Sequence, residues 1–239
     1  CLMQLAVWSG PRNISTALMY SFAQRKDFVA IDEPFYASYL SLTGLNHPMR
    51  DEVIASQPID PKIVIQHLID PPRHGPKHMY QKHMTQHMID AIPRDWIKKV
   101  ANVFLIRHPA RVIASFSKKY ENPTIHDIGF QKQTELFRFL RNAGQNPLVI
   151  NSYDIRRSPE KMLKKLCLTL SLDFDPAMLC WDAGGSPYDG IWAQHWYGAV
   201  HASTGFSDPE GPLPQLPQAL RRLEQESLRD YEEMMDYCL

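Results

Sequence analysis

No phosphate-binding loop of the G-x-x-x-x-G-K-[ST] form occurs in these 239 residues, so ordinary ATP or GTP hydrolysis loses most of its support. Charge imbalance is missing too. Lys+Arg and Asp+Glu both number 26, and the net charge is zero. Bulk binding to nucleic acid or to an anionic membrane needs a basic excess, so neither partner is expected, although a local anion site is not excluded. No C-x-x-C pair is present. Cys1, Cys167, Cys180 and Cys238 are scattered and read as free thiols of a reducing, cytoplasmic compartment. No apolar run approaches the ~18 residues of a membrane span. The chain opens on Cys1 and runs straight into a strand-like segment, so no signal peptide is expected and the first residues read as trimmed. No internal repeat and no second domain show. Residues 1–239 read as one domain, with 41–77 and 184–217 as irregular segments covering the site. Between Lys165 and Arg221 there is no Lys or Arg.

What is present alternates between two periodicities. Leu2–Trp8, Phe28–Ile31, Met79–Met84, Asn102–Ile106 and Leu148–Asn151 are short, mostly apolar segments bounded by turn residues, and they read as buried strands. Between them lie helical patterns. Asn13–Arg25 repeats Ile14, Leu18 and Phe22 at i+4, with Arg25 and Lys26 placed for the last turn, where cations suit the dipole. A short helix is expected near Lys62–Ile69, and a helix or turn over Asp90–Lys99. Pro109 opens a helix over Ala110–Tyr120. Further helices are expected over Ile128–Arg141, from Ser158 to Leu170, briefly after Asp175-Pro176, and over Gln218–Tyr237. Strands alternating with helices predict an α/β fold of three layers, a central parallel sheet flanked by helices.

Two loops carry chemistry. Ser9-Gly10-Pro11-Arg12-Asn13-Ile14-Ser15-Thr16 joins a strand to a helix. A helix N-terminus offers free N–H groups and the positive dipole end to an anion. Ser15 and Thr16 add hydroxyls, and Arg12 adds a guanidinium fork. A plain turn capped by Asn13 or Ser15 is the alternative. The second loop places Arg107 at the carboxyl end of a strand, with Ser115 eight residues on in the next helix. Ligands of open α/β sheets bind at carboxyl ends of strands, so Arg107 and Ser115 could converge on one phosphate. The alternative is an Arg at a strand end and a Ser bonded to its own helix.

Together these motifs resemble the sulfotransferase family. GPRNISTAL is similar to its 5′-phosphosulfate loop, P-[RK]-S-G-T-T, with Asn13-Ile14 where Ser-Gly is usual. FLIRHPARVIASF is similar to its 3′-phosphate motif, and LSLDFDPAMLCW looks like bacterial members. The resemblance covers roughly 1–205. It implies a P-loop-like fold that uses 3′-phosphoadenosine 5′-phosphosulfate (PAPS), yields adenosine 3′,5′-bisphosphate and requires no metal. Gly10, Pro11, Arg12, Asn13, Ile14, Ser15 and Thr16 would form the 5′ cradle. Arg107 and Ser115 would hold the 3′-phosphate. A late covering loop matches loosely at Gly184–Trp192.

Two bases are candidates at strand ends expected to face one cleft. Glu33, in Asp32-Glu33-Pro34, resembles the Glu base of carbohydrate sulfotransferases. His83 resembles the His of the small-molecule enzymes. An imidazole titrates near neutrality unaided, whereas a Glu must be tuned by burial. The strand-end context favours Glu33, and Lys82 could neutralise the leaving group. His74, His78, His83 and His87 cluster, but Met84 stands where a zincin motif needs Glu, so no metal site is expected. Tyr188, Trp192, Trp196 and Tyr197 read either as core or as the wall of a ligand pocket. The charged C-terminal helix reads as a solvated face or a homodimer contact. The expected activity is sulfuryl transfer from PAPS to a hydroxyl or amine of a small-molecule acceptor. A nucleotide-dependent phosphotransferase and a non-catalytic nucleotide-binding protein remain alternatives.

Overall fold

The computed structural model describes residues 2–70 and 74–239. Five strands form one all-parallel sheet: β1 (Met3–Ser9), β2 (Phe28–Asp32), β3 (His78–Met84), β4 (Ala101–Ile106) and β5 (Leu148–Asn151), in the order β2-β3-β1-β4-β5. The register is continuous, with Leu5 opposite Tyr80 on one side and opposite Ala101 on the other. Side chains alternate across the pleat, and both faces are covered. Leu5 and Val7 join Leu18, Phe22, Tyr80, Leu105 and Leu163 in the core of one face. Ala6 and Trp8 join Trp96, Phe104, Phe137 and Leu140 on the other. The fold is the three-layer α/β arrangement that the alternating periodicities predict.

Helix α1 (Ser15–Ala23) follows β1, and α2 (Tyr36–Thr43), α3 (Arg50–Ser56) and α4 (Pro61–Ile69) follow β2. The expectation of an irregular 41–77 is therefore corrected. Val53, Val64 and Leu68 are buried and give α3 and α4 apolar anchors that outweigh the Pro and polar content between them. Residues 71–73 of that stretch lie outside the described residues. Helices α5 (Pro109–Ser117), α6 (Phe130–Asn142), α7 (Ser152–Arg157) and α8 (Pro159–Thr169) complete the layers. Two short helices, α9 (Ala193–Trp196) and α10 (Gly198–His201), punctuate 184–217, and α11 (Gln218–Met235) packs on α5 and α6.

Arg25 is a second correction. Helix α1 stops at Ala23, so Arg25 does not serve its last turn. It is buried instead, with its fork on Asp27 at 2.9 and 2.8 Å and a bond to the Asp173 carbonyl at 2.7 Å. A buried guanidinium needs such partners, and the turn after α1 supplies one two residues away.

The strand order reverses direction around β1, whose neighbours are β3 and β4. Crevices in such sheets open at the carboxyl ends of strands where the order reverses. Every loop singled out from the sequence lies on that edge: Gly10 after β1, Glu33 after β2, Arg107 after β4. Among the described residues, no helix is long and apolar enough to cross a membrane.

Candidate active site

A cleft of about 1140 Å³ opens along this edge. Its walls include Arg12, Asn13, Ser15, Thr16, Glu33, Lys82, Arg107 and Ser115, so the structure brings most of the sequence-derived residues together. Gly10 shapes the cradle without lining the cleft. A Cβ there would lie 2.6 Å from the Ile128 carbonyl oxygen, so only glycine lets the loop pack on that backbone. Asn13 Nδ2 donates to the Gly10 carbonyl at 3.0 Å and fixes the turn. Arg12 sits at φ 61°, a left-handed conformation uncommon for a residue with a Cβ. Helix α1 carries no side-chain cap. Its first N–H groups are thus left to whatever the cleft binds.

The two candidate loops touch. Arg12 Nε donates to Ser115 Oγ at 2.8 Å, and Arg107 Nη1 donates to the Arg12 carbonyl. Arg107 also grips Glu210, through Nε at 2.9 Å and Nη2 at 2.6 Å. Arg111 and Arg156 reach the same carboxylate at 2.9 and 2.6 Å. Sequence reasoning missed Arg111, Arg156 and Glu210. The four lie at 107, 111, 156 and 210, and only tertiary folding gathers them.

Glu33 stands just past β2 at φ 43°. Three backbone bonds hold this strained residue: its N–H donates to the Lys82 carbonyl at 2.9 Å, and its own carbonyl accepts from Tyr36 N at 3.1 Å and Gln57 Nε2 at 3.0 Å. A left-handed non-glycine costs of order 1–3 kcal/mol and persists where surroundings over-determine it. The result aims a carboxyl into the cleft wall while leaving it only 8% exposed. Burial pushes its pKa up to about 7, and the Lys82 ammonium opposes the shift.

Lys82 is buried and charged. Its Nζ lies 3.1 Å from Asp32 Oδ1 and 3.4 Å from Glu33 Oε1, and it meets the Tyr197 hydroxyl. Burial opposes the charge, but Asp32 and Glu33 outweigh it and hold the Lys82 pKa above its ordinary value. Asp32 is satisfied on both oxygens, with Tyr197 OH at 3.0 and 2.9 Å and Gly190 N at 3.0 Å on Oδ2. Gly190 is also pressed by the Trp192 ring, which a Cβ would meet at 2.0 Å. Asp32 and Tyr197 therefore hold Lys82 in place.

His83 is corrected in place. Successive β3 residues point to opposite faces, so Lys82 turns towards the cleft and His83 into the other layer. Its ring stacks on Trp8 at 4.3 Å, lies beside Phe35 and Trp96, and bonds Gln81 Oε1 at 3.1 Å. It does not line the cleft. Burial lowers its pKa to about 3, so it stays neutral. The other histidines are dispersed. His78 accepts from Met3 N, and His87 stacks on Tyr36 at 4.7 Å. Among the described residues no group of three or more His, Cys, Asp or Glu gathers as a metal site.

Beyond Glu33 the cleft becomes aromatic, with Tyr36, Tyr39, His47, His87, Trp192 and Trp196 around it. Tyr36 OH bonds His47 Nδ1 at 2.9 Å, and burial lowers the pKa of both histidines, most strongly at His87. Trp192 and Tyr197 are at once buried core and cleft wall, so the two readings of the aromatic cluster coexist in them. Tyr188 lies outside the cleft wall.

The raised Glu33 pKa makes a stability prediction. Below about pH 4.5 this carboxyl is protonated folded or unfolded; between 4.5 and about 7 only the folded chain keeps the proton. The stability held in that proton is full below pH 4.5 and is lost as pH rises through about 7. The melting temperature of the native chain relative to Glu33→Gln is therefore expected to fall between about pH 5 and 8. A difference constant with pH would contradict the shift.

An all-parallel sheet with an uncapped helix N-terminus after β1 and guanidiniums gathered from the segments after β4 and β5 defines an α/β protein with its cleft on the carboxyl edge. The chain belongs to the sulfotransferase domain family, whose model matches residues 3–236. Two solved structures share the fold. The sulfotransferase domain from the curacin biosynthetic pathway is 18% identical at a TM-score of 0.53, covering 97% of this chain and 98% of that one. The sulfotransferase from Alicyclobacillus acidocaldarius is 12% identical at a TM-score of 0.55, covering 100% and 98%. Among curated proteins, the branched-chain-amino-acid aminotransferase-like proteins 2 and 1 of Arabidopsis thaliana are 36% and 38% identical over 206 residues, 85% of this chain. The chain spans 36% of the length of each.

Proposed function

We propose that the chain transfers a sulfuryl group from PAPS to a hydroxyl or amine of a small acceptor, with Glu33 as general base. The observation that carries this reading is the placement of a buried, proton-retaining carboxyl between an anion cradle and an aromatic pocket in one cleft. The cleft, at about 1140 Å³, exceeds the ~300–1,000 Å³ of a typical ligand site, which suits two substrates side by side. The donor's chemistry fits the wall. The Arg12 and Arg107 guanidiniums and the uncapped first N–H groups of α1 suit phosphate and sulfate.

Arg12, Ser15, Thr16 and the start of α1 would hold the 5′ end, and Arg107 and Ser115 the 3′-phosphate. Bound PAPS supplies the activated sulfuryl group. Glu33 takes the acceptor's proton on the carboxyl oxygen not facing Lys82, and a pKa of about 7 suits that task at neutral pH. Lys82, held charged by Asp32 and Glu33, keeps its own proton and steadies the Glu33 carboxyl. Tyr36, Tyr39, Trp192 and Trp196 offer flat apolar faces to the acceptor, which favours an aromatic or otherwise apolar hydroxyl compound.

Titration calorimetry with adenosine 3′,5′-bisphosphate and with ATP tests the donor. The bisphosphate is expected to bind, and Arg107→Ala to weaken it about 10- to 150-fold, the worth of a hydrogen bond to a charged group. Binding of ATP but not of the bisphosphate would sink the sulfotransferase reading in favour of a phosphotransferase.

A further inference from the structure

We infer that Glu210 is a built-in competitor of the donor's 3′-phosphate: its carboxylate fills a site formed by Arg107, Arg111 and Arg156, and phosphate enters by displacing it. The inference rests on the donor reading above and adds residues and an order of events to it.

The side chain of Glu210 is only 4% exposed, although the chain on either side of it is open to solvent. Its Oε1 accepts from Arg107 Nε, Arg107 Nη2 and Arg156 Nη1 at 2.9, 2.6 and 2.6 Å, and its Oε2 lies 2.9 Å from Arg111 Nε. Three guanidiniums around one carboxylate leave two positive charges uncompensated. A phosphate monoester, with up to two charges and three terminal oxygens, satisfies that cluster better than a single carboxylate with two oxygens. The two anions compete for one edge of Arg107. It spends Nε and one N–H of Nη2 on Glu210 and one N–H of Nη1 on the Arg12 carbonyl, so the Nε–Nη2 edge is closed to phosphate while Glu210 stays.

The strap that carries Glu210 is held by the same guanidiniums. Arg156 Nε donates to the Asp208 carbonyl at 2.8 Å, and Arg111 Nη2 to the Gly211 carbonyl at 2.6 Å. From Ser207 to Gln215 no apolar residue is buried. Electrostatics rather than apolar packing fastens the segment, so an anion that takes the guanidiniums also loosens the strap. The absence of Lys and Arg between Lys165 and Arg221 acquires a meaning here. The late segment contributes an acid to the anion site, and the cations come from the β4–α5 segment and α7.

The test compares the native chain with Glu210→Gln by titration calorimetry against adenosine 3′,5′-bisphosphate, adenosine 5′-monophosphate and inorganic phosphate. Removing the competitor is expected to tighten the bisphosphate about tenfold or more, because the competent fraction rises, and to leave the 5′-monophosphate unchanged. Hydrogen exchange on the native chain gives a second readout. Amides of 207–213 are expected to exchange faster when bisphosphate is bound. Equal or weaker bisphosphate binding by Glu210→Gln, or greater protection of 207–213 on binding, overturns the inference and leaves the donor reading intact. If neither protein binds bisphosphate but Glu210→Gln binds inorganic phosphate more tightly, the anion site stands and the donor reading falls. If no anion binds more tightly, the inference falls. Should the variant fail to fold, hydrogen exchange on the native chain decides, with phosphate as probe if bisphosphate does not bind.

Discussion

Glu33→Gln is expected to lower turnover about 10²- to 10⁴-fold, the range a positioned general base contributes, while adenosine 3′,5′-bisphosphate binds as before. The substitution preserves side-chain size at a residue whose backbone is already held by Lys82, Tyr36 and Gln57. What it removes is the ability to take a proton. In the native chain, kcat/KM is expected to rise with pH through about 7, following deprotonation of this buried carboxyl. His83→Phe, measured alongside, is expected to stay within a few-fold of native, because the ring packs on Trp8 in the opposite layer. Turnover retained in Glu33→Gln, or abolished in a folded His83→Phe, would exchange the two roles.

Lys82→Met is expected to destabilise the fold by about 3–5 kcal/mol, the cost of leaving a buried charge without its partner. Asp32 is 4% exposed and would lose its nearest cation, and Glu33 would lose the ammonium that now opposes its burial. For a chain of this length the melting temperature would fall by about 6–20 °C. Adding Asp32→Asn should recover part of that loss, because the uncompensated charge disappears and the bond to Tyr197 can persist. A single variant within about 1 kcal/mol of native would mean that Tyr197 and Gly190 alone suffice for Asp32. The proposed base rests on this unit too, since Lys82 sets how firmly Glu33 holds its proton.

Local rules made much of the sheet readable. Leu148–Asn151 is a strand with the expected bounds, and Met79–Met84 is short of the observed β3 by His78 alone. The α2–α4 region was harder. Prolines and glycine at 44–61 look like coil, while the helices between them are stabilised by Val53, Val64 and Leu68 meeting partners distant in sequence. The two loops proposed to hold phosphate were visible because a strand, a turn and a helix start are contiguous. Arg12, Ser15 and Thr16 lie within five residues, and Arg107 and Ser115 within nine.

The proposed base was only half visible. Glu33 and His83 look equivalent in a sequence, each near the end of a short strand. The pleat separates them, since a one-residue step from Lys82 to His83 crosses from the cleft to the opposite core. Neither burial nor the left-handed backbone at Glu33 has a local signature, because both come from Gln57, Tyr36 and the β2–β3 pairing. The competitor carboxylate was invisible for the same reason. Glu210 is one acid in a proline-rich coil until three arginines from other segments close on it.

By itself, then, the sequence determined the class of fold, the two loops that can cradle an anion, and the family those motifs resemble. These depend on periodicity and on residues adjacent in the chain. Only the tertiary structure decided which carboxyl keeps a proton near neutrality, which histidine is core, and what fills the arginine cluster. Those outcomes depend on desolvation and on charges brought within 3–4 Å from distant segments, and neither quantity exists before the chain is folded.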